Sequence, residues 1–147
     1  MKKVIKKLFG KRKFSFSLKE SLDLCNLPVI TFTMNNIKLN FLVDSGSTNS
    51  LIDKSLQKEL NISEFSGDVQ GVYGVGGNTE TSAGYKVKVS YMEHAFEGIM
   101  FPVDLQTVFK KFKENTGVQL HGILGTDFLQ RYKTVLDFDK LKVNIKK

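Results

Sequence analysis

The 147-residue chain has one cysteine, two prolines, two histidines and no tryptophan. A lone thiol, Cys25, makes no internal disulfide, so this is no cross-linked scaffold. Nor can Cys25 build a zinc site with His94 and His121, which stand 27 residues apart and outside any ligand spacing. No metal or other cofactor is expected, and both histidines read as ordinary polar positions. No apolar run approaches the ~20 residues that cross a bilayer. A secretory signal is not expected either, because no apolar core of ~7–15 residues follows the positive start. Internal repeats and low-complexity tracts are absent, as is any linker after residue 20.

What is present is a core-forming composition with a lopsided charge. Hydrophobic residues make up 41% of the chain, 12 of them Phe, enough for one folded domain and too many for a disordered tail. The net charge is +7, yet residues 1–13 hold seven cations (Lys2, Lys3, Lys6, Lys7, Lys11, Arg12, Lys13) and no acid. The rest carries 15 basic and 15 acidic residues and is balanced. Residues 1–20 are therefore expected to be a basic, flexible N-terminal arm, and residues 21–147 the folded domain. Val4, Ile5, Leu8 and Phe9 recur at helical spacing among the lysines, as in a surface-seeking helix. Weak contact with a membrane surface or nucleic acid through residues 1–13 stands beside the plainer expectation of a solvated terminus.

From Phe14 onward, short apolar or alternating segments dominate. Strands are expected over Pro28–Thr33 and Ile37–Val43, joined at Asn35-Asn36, since Asn tolerates positive φ. Ser50–Ile52 is a short strand, after which Asp53 caps a helix from Lys54 to Leu60 that buries Leu56 and Leu60. Gly71–Gly77 is a glycine-rich hairpin tip, and Tyr85–Tyr91 alternates strictly. A strand over Gly98–Val103 leads to Asp104, which caps a helix carrying Leu105, Val108, Phe109 and Phe112 and ending near Asn115–Gly117. Ile123-Leu124 enters a short helix capped by Thr126, and Thr134–Phe138 and Leu141–Ile145 form a last hairpin. The class is all-β with two or three short helices.

The chemistry centres on Phe41-Leu42-Val43-Asp44-Ser45-Gly46-Ser47. Three apolar residues deliver a carboxylate to the end of a buried strand. There Gly46 allows close backbone approach, and Ser45 and Ser47 offer hydroxyl donors. Alone, Asp-Ser-Gly is a common turn. It gains meaning from the glycine-rich hairpin about 30 residues on and from Ile123-Leu124-Gly125, whose glycine lies 81 residues after Asp44. In this order and spacing the chain resembles the retropepsin-like aspartic proteases over residues 27–146.

The resemblance implies an acid-protease β-barrel and an aspartic endopeptidase. Asp44 matches the catalytic aspartate, and Ser45 the hydroxyl that braces the two loops of a dimer. Ser47 matches a donor to the outer oxygen of the aspartate. Tyr73, Gly74, Val75, Gly76 and Gly77 match the flap over a bound peptide, and Ile123, Leu124 and Gly125 the segment beneath the loop. Thr48 and Thr126 replace an acidic residue and an arginine that pair in many retroviral members. Only one such loop is present; Asp53 and Asp127 lack its context. The second carboxylate of an aspartic protease must then come from another copy, in a C2 homodimer.

An activity optimum below neutral pH and extended peptide substrates with apolar residues flanking the cut follow from this reading. Leu8-Phe9, Phe14 and Phe16 offer sites for self-removal of the arm, and the cytoplasm, at its membrane surface through the arm, is the expected location. A phosphate loop at Gly71–Gly77 lacks its Lys-Ser/Thr ending, and no Gly-x-Ser-x-Gly elbow is present. The rival function is a catalytically silent dimerisation or binding module of the same fold, tethered by its basic arm.

Overall fold

The computed structural model describes residues 11–64, 73–74, 77–78 and 83–147. Its centre is a closed six-stranded barrel made of β2 (Val29–Met34), β3 (Ile37–Val43), β4 (Ser50–Asp53), β7 (Tyr85–Tyr91), β8 (His94–Val103) and β9 (Gly122–Leu124). The strands follow the order β2-β3-β9-β4-β8-β7, and Thr33 opposite Ser90 closes the ring. A second sheet joins β1 (Lys13–Ser17), β11 (Lys142–Lys146) and β10 (Val135–Asp137), in the order β1-β11-β10. Two-residue strands β5 (Tyr73–Gly74) and β6 (Gly77–Asn78) pair antiparallel. The glycine-rich segment therefore does form a ladder there; Val75 and Gly76 lie outside the described residues.

Alternation explains the barrel. In β7, Tyr85, Val87 and Val89 face inward while Lys86 and Lys88 face water. Phe32, at 1% exposure, sits at the centre and meets the rings of Phe16, Phe41, Phe96 and Phe128 edge-on or tilted. Each such buried side chain contributes about 1.5–3 kcal/mol of transfer free energy. The β2–β3 turn forms at Asn35 (φ 50°) and Asn36 (φ 63°), where the sequence places it.

Four helices lie among the described residues: α1 (Lys19–Cys25), α2 (Leu56–Leu60), α3 (Gln106–Thr116) and α4 (Thr126–Arg131). None is long and apolar enough to cross a membrane. Helix α3 ends at Gly117 (φ 77°), and the Gln106 N–H donates to Asp104 Oδ1 at 3.2 Å.

Several expectations need correction. Residues 13–20 are not arm: β1 pairs with β11 from Lys13↔Lys146 to Ser17↔Lys142, and α1 starts at Lys19. Phe14, Phe16 and Leu18 are buried, so neither Phe14 nor Phe16 is open to self-cleavage. Their alternation with Lys13, Ser15 and Ser17 is a strand signal hidden by the charge block before it. Strand β8 begins at His94, four residues before the expected Gly98, because its hairpin with β7 turns at Met92 (φ 49°) and Glu93 (φ 66°), which carry no turn signature. Asp53 does not cap α2. It ends β4, nearly buried, and its carboxylate accepts from the Ser55 hydroxyl (2.5 Å) and the Leu105 N–H (3.0 Å).

Candidate active site

The barrel delivers Asp44 by a parallel pairing. Phe41, Leu42 and Val43 of β3 lie opposite Gly122, Ile123 and Leu124 of β9, and β9 is flanked on its other edge by β4. Gly122 is required there: a Cβ would stand 2.5 Å from the Leu51 carbonyl oxygen and 2.7 Å from the Phe41 ring. The ladder continues one residue further, the Asp44 N–H donating to Leu124 O at 3.0 Å. The chain then turns, with the Ser47 N–H reaching Asp44 O at 3.2 Å and the Gly46 N–H donating to Asp44 Oδ1 at 2.8 Å. Asp44 is half-buried, Ser45 and Gly46 are exposed, and Ser47 is buried. A half-buried carboxylate thus sits at the head of the loop and accepts the Gly46 N–H.

Gly125 lies beneath this loop. A Cβ on it would come within 2.4 Å of Asn49 O, 2.6 Å of Asn49 C and 2.7 Å of Ser47 O, all backbone atoms. Its N–H donates to Ser50 Oγ at 3.0 Å, and Ser50 Oγ donates to Asp127 Oδ1 at 2.8 Å. Asp127 also accepts from the Ser50 N–H through Oδ2 (3.0 Å) and from the Phe128 N–H through Oδ1 (2.8 Å). One carboxylate therefore ties the start of β4 to the first turn of α4 and orients the hydroxyl that receives Gly125. Sequence reading set Asp127 aside for lack of loop context, and its link to Ser50 spans 77 residues, beyond any local pattern.

Ser47 departs from its expected role. Its hydroxyl donates to Asn49 O at 2.7 Å and not to Asp44. Thr126 is not a side-chain cap: Gly125 is the N-cap of α4, with no side-chain capping bond. Instead the Thr126 N–H donates to Ser47 O (2.8 Å) and its hydroxyl to Thr48 O (3.3 Å). Thr126 thus joins the two loops through its own N–H and hydroxyl, with Thr48 giving its backbone carbonyl. The structure brings Asp44, Ser45, Gly46 and Ser47 together with Leu124 and Gly125. A cavity of about 490 Å3 opens beside them, lined by Val43, Ser45, Thr126, Leu129, Thr134 and Leu136.

His121 precedes β9 and accepts the Asn40 N–H at Nδ1, 2.9 Å away. Desolvation lowers its pKa from the ordinary 6.5, with Lys113 adding to this against the opposing pull of Glu59 and Asp53. The neutral ring is the one that accepts from Asn40, so the folded state binds this proton less readily than the unfolded chain. The stabilising contribution is whole above pH 6.5 and is lost as pH falls through the lowered folded value. Thermal melts between about pH 7 and 5, above the carboxylate range, are expected to show falling stability in acid, and H121Q to flatten that slope.

Strand order, a closed barrel and an Asp-Ser-Gly turn locked to an apolar-apolar-Gly strand define a retropepsin-like acid-protease fold. The family model described as aspartyl protease matches residues 30–128. The chain belongs to that family. A crystal structure of a retropepsin-like aspartic protease from Rickettsia conorii is similar over 93% of this chain and 92% of that one, at 17% identity and a TM-score of 0.50. EIAV protease complexed with the inhibitor HBY-793 is 23% identical, covering 71% of this chain and 86% of its own, with a TM-score of 0.47. The retroviral protease-like domain of Ddi1 from Leishmania major is 15% identical over 80% of this chain and 89% of its own, with a TM-score of 0.48. No curated protein matches the chain.

Proposed function

We propose that this chain is an aspartic endopeptidase active as a C2 homodimer, each copy giving Asp44 to one shared site. The observation that carries the reading is the seating of the Asp44 loop on Gly125, which holds a half-buried carboxylate at a strand end. Two such carboxylates brought within a few ångströms cannot both ionise, so one is base and the other acid. The base takes a proton from water as its oxygen bonds to the scissile carbonyl carbon, and the acid gives its proton to the carbonyl oxygen. Collapse of that adduct breaks the C–N bond, and the amine leaves with a proton. Because the dyad works with one shared proton, the activity optimum is expected below neutral. Tyr73–Gly77 acts as the flap, excluding water and adding backbone bonds to an extended peptide. Ser45 braces the two loops across the symmetry axis.

The apolar surface beside the loop supports the second copy. Val135, Leu136, Phe138 and Leu141 are exposed at 53%, 36%, 56% and 37%. Among the described residues, β10 is an edge strand that pairs with β11 on one side only. Leu136 also lines the cavity that reaches Ser45. Leu136→Asp is expected to weaken dimerisation by about 30-fold, the loss of an apolar anchor worth about 2 kcal/mol. Sedimentation and peptide-cleavage rates across protein concentrations read it directly: the variant's activity should recover as concentration rises. Wild-type activity strictly proportional to concentration, with monomers in the cell, would sink the homodimer.

A further inference from the structure

Alternation along β3 places Leu42 on the same face as Asp44, about 7 Å back along the strand. The Asp44 N–H continues the ladder to Leu124 O, so the alternation holds up to the carboxylate. Cross-strand register sets Val29, Ile123 and Leu51 in one row with Leu42. That row lies on the side of the strands away from Phe41, Val43 and Leu124 in the barrel core. The outward face of an antiparallel strand is ordinarily polar. This row is wholly aliphatic and starts beside Asp44.

Helix α3 covers part of it. Phe109 is buried with Val29 and Leu120, and half-buried Leu27, Leu42, Leu105, Phe112 and Ile123 pack against these three. Leu105, Val108 and Phe112 follow one another at helical spacing. Val108 is 65% exposed, so the apolar stripe of α3 runs past what the barrel covers. The helix is pinned where it starts. Asp53, 8% exposed at the end of β4, accepts the N–H of the α3 N-cap residue Leu105 through Oδ1 at 3.0 Å. The Ser55 hydroxyl holds its other oxygen at 2.5 Å. Strand β4 therefore fixes both the row, through Leu51, and the helix above it.

We propose that α3 is a specificity element of the Asp44 site. Its Leu105 and Phe112 wall a subsite, floored by Leu42 and Ile123, that takes a bulky apolar side chain of the substrate next to the cut. The inference rests on the aspartic-protease reading of Asp44. A substrate residue whose carbonyl meets Asp44 has its side chain within reach of Leu42. Floor and wall offer no polar side chain, so a charged group would lose its hydration there without a partner. A small side chain would leave the floor wet, whereas a large apolar one removes both surfaces from water. Asp53 is a positioning residue that acts through α3.

The test compares two peptides that differ only in Phe or Ala beside the cleaved bond. Wild type should favour the Phe peptide in kcat/KM. Phe112→Ala, which removes one wall, should cut that preference about 10-fold, chiefly through KM. Phe112→Trp, which narrows the subsite, should shift preference toward the Ala peptide. Asp53→Ala should weaken the preference as well, and Asp53→Asn, whose amide oxygen can still accept the Leu105 N–H, should keep it. Rates are taken per folded molecule from melting curves. Cleavage with the same Phe-to-Ala preference in wild type and both Phe112 variants would overturn the subsite and leave the Asp44 reading standing. Absence of cleavage by every protein would overturn the Asp44 reading instead, and the subsite is then read from fluorescence polarisation of the same two peptides. A Phe preference in binding that F112A loses would uphold it, and equal preference in the two proteins, or none, would overturn it.

Discussion

Asp44→Asn should abolish peptide cleavage, by at least about 10⁴-fold, the upper range for removing a positioned acid–base group. In a homodimer a single substitution replaces both members of the dyad, so neither a base nor a shared proton survives. The fold should not change. Asn keeps an Oδ1 to accept the Gly46 N–H now held at 2.8 Å, and the Asp44 N–H to Leu124 O bond belongs to the backbone. A mass-spectrometric survey of products from a peptide mixture, run from acid to neutral pH on both proteins, checks this. Equal product profiles for the two would remove Asp44 from the chemistry and favour a silent binding module.

That experiment meets a constraint from the far side of the same loop system. Activity resting on a shared proton favours acid, while His121 withdraws stability as pH falls below 6.5. His121 holds Asn40 of β3 through its ring and its own backbone, and its carbonyl accepts the Asp53 N–H of β4 (2.9 Å). These are the strands that frame Asp44. The acid limb of the activity profile is therefore expected to combine carboxylate protonation with loosening of this frame, and H121Q separates them by moving the melting curve without touching the dyad.

Much of this architecture was legible because its signals are local. Strict alternation placed β7 at its true bounds, Asn35-Asn36 supplied the positive φ of a tight turn, and Gly117 ended α3 in the left-handed region. The site's frame was legible for another reason: Asp-Ser-Gly and Ile-Leu-Gly are constrained by each other's backbones, so their residue types are narrow. Sequence reading failed where partners are distant or signals are masked. Lysines disguised β1, which becomes a strand only because β11, more than 120 residues away, offers an edge. Met92 and Glu93 turn without turn residues because seven flanking pairs, from Tyr85↔Met100 to Tyr91↔His94, impose the geometry. Asp127 was set aside for lack of loop context, and nothing local shows that Ser50 needs it. Ser47 was given a partner by analogy, but Asn49 O lies closer along its own chain.

Gly125→Ala should produce the second large effect, on stability and activity together. Its Cβ would fall inside contact distance of three backbone atoms of the Asp44-bearing loop, none of which can rotate away as a side-chain tip would. Overpacking of this kind costs about 1–3 kcal/mol, and rigid neighbours place it at the upper end. For a domain of this size that lowers the melting temperature by about 6–12 °C. The relief available is to push Ser47 and Asn49 outward, which carries Asp44 with them and loosens the Gly125–Ser50–Asp127 chain. A displacement near 1 Å at a reacting group costs about 10²-fold in rate, so cleavage should fall by that order even at temperatures where the variant stays folded. Gly117→Ala is the control. Nothing lies within 4 Å of its Cβ, and only its positive φ is penalised, by about 1–2 kcal/mol. It should melt lower yet keep its rate per folded molecule. Equal rates per folded molecule for the two variants would show that Gly125 serves packing alone and does not set the position of Asp44.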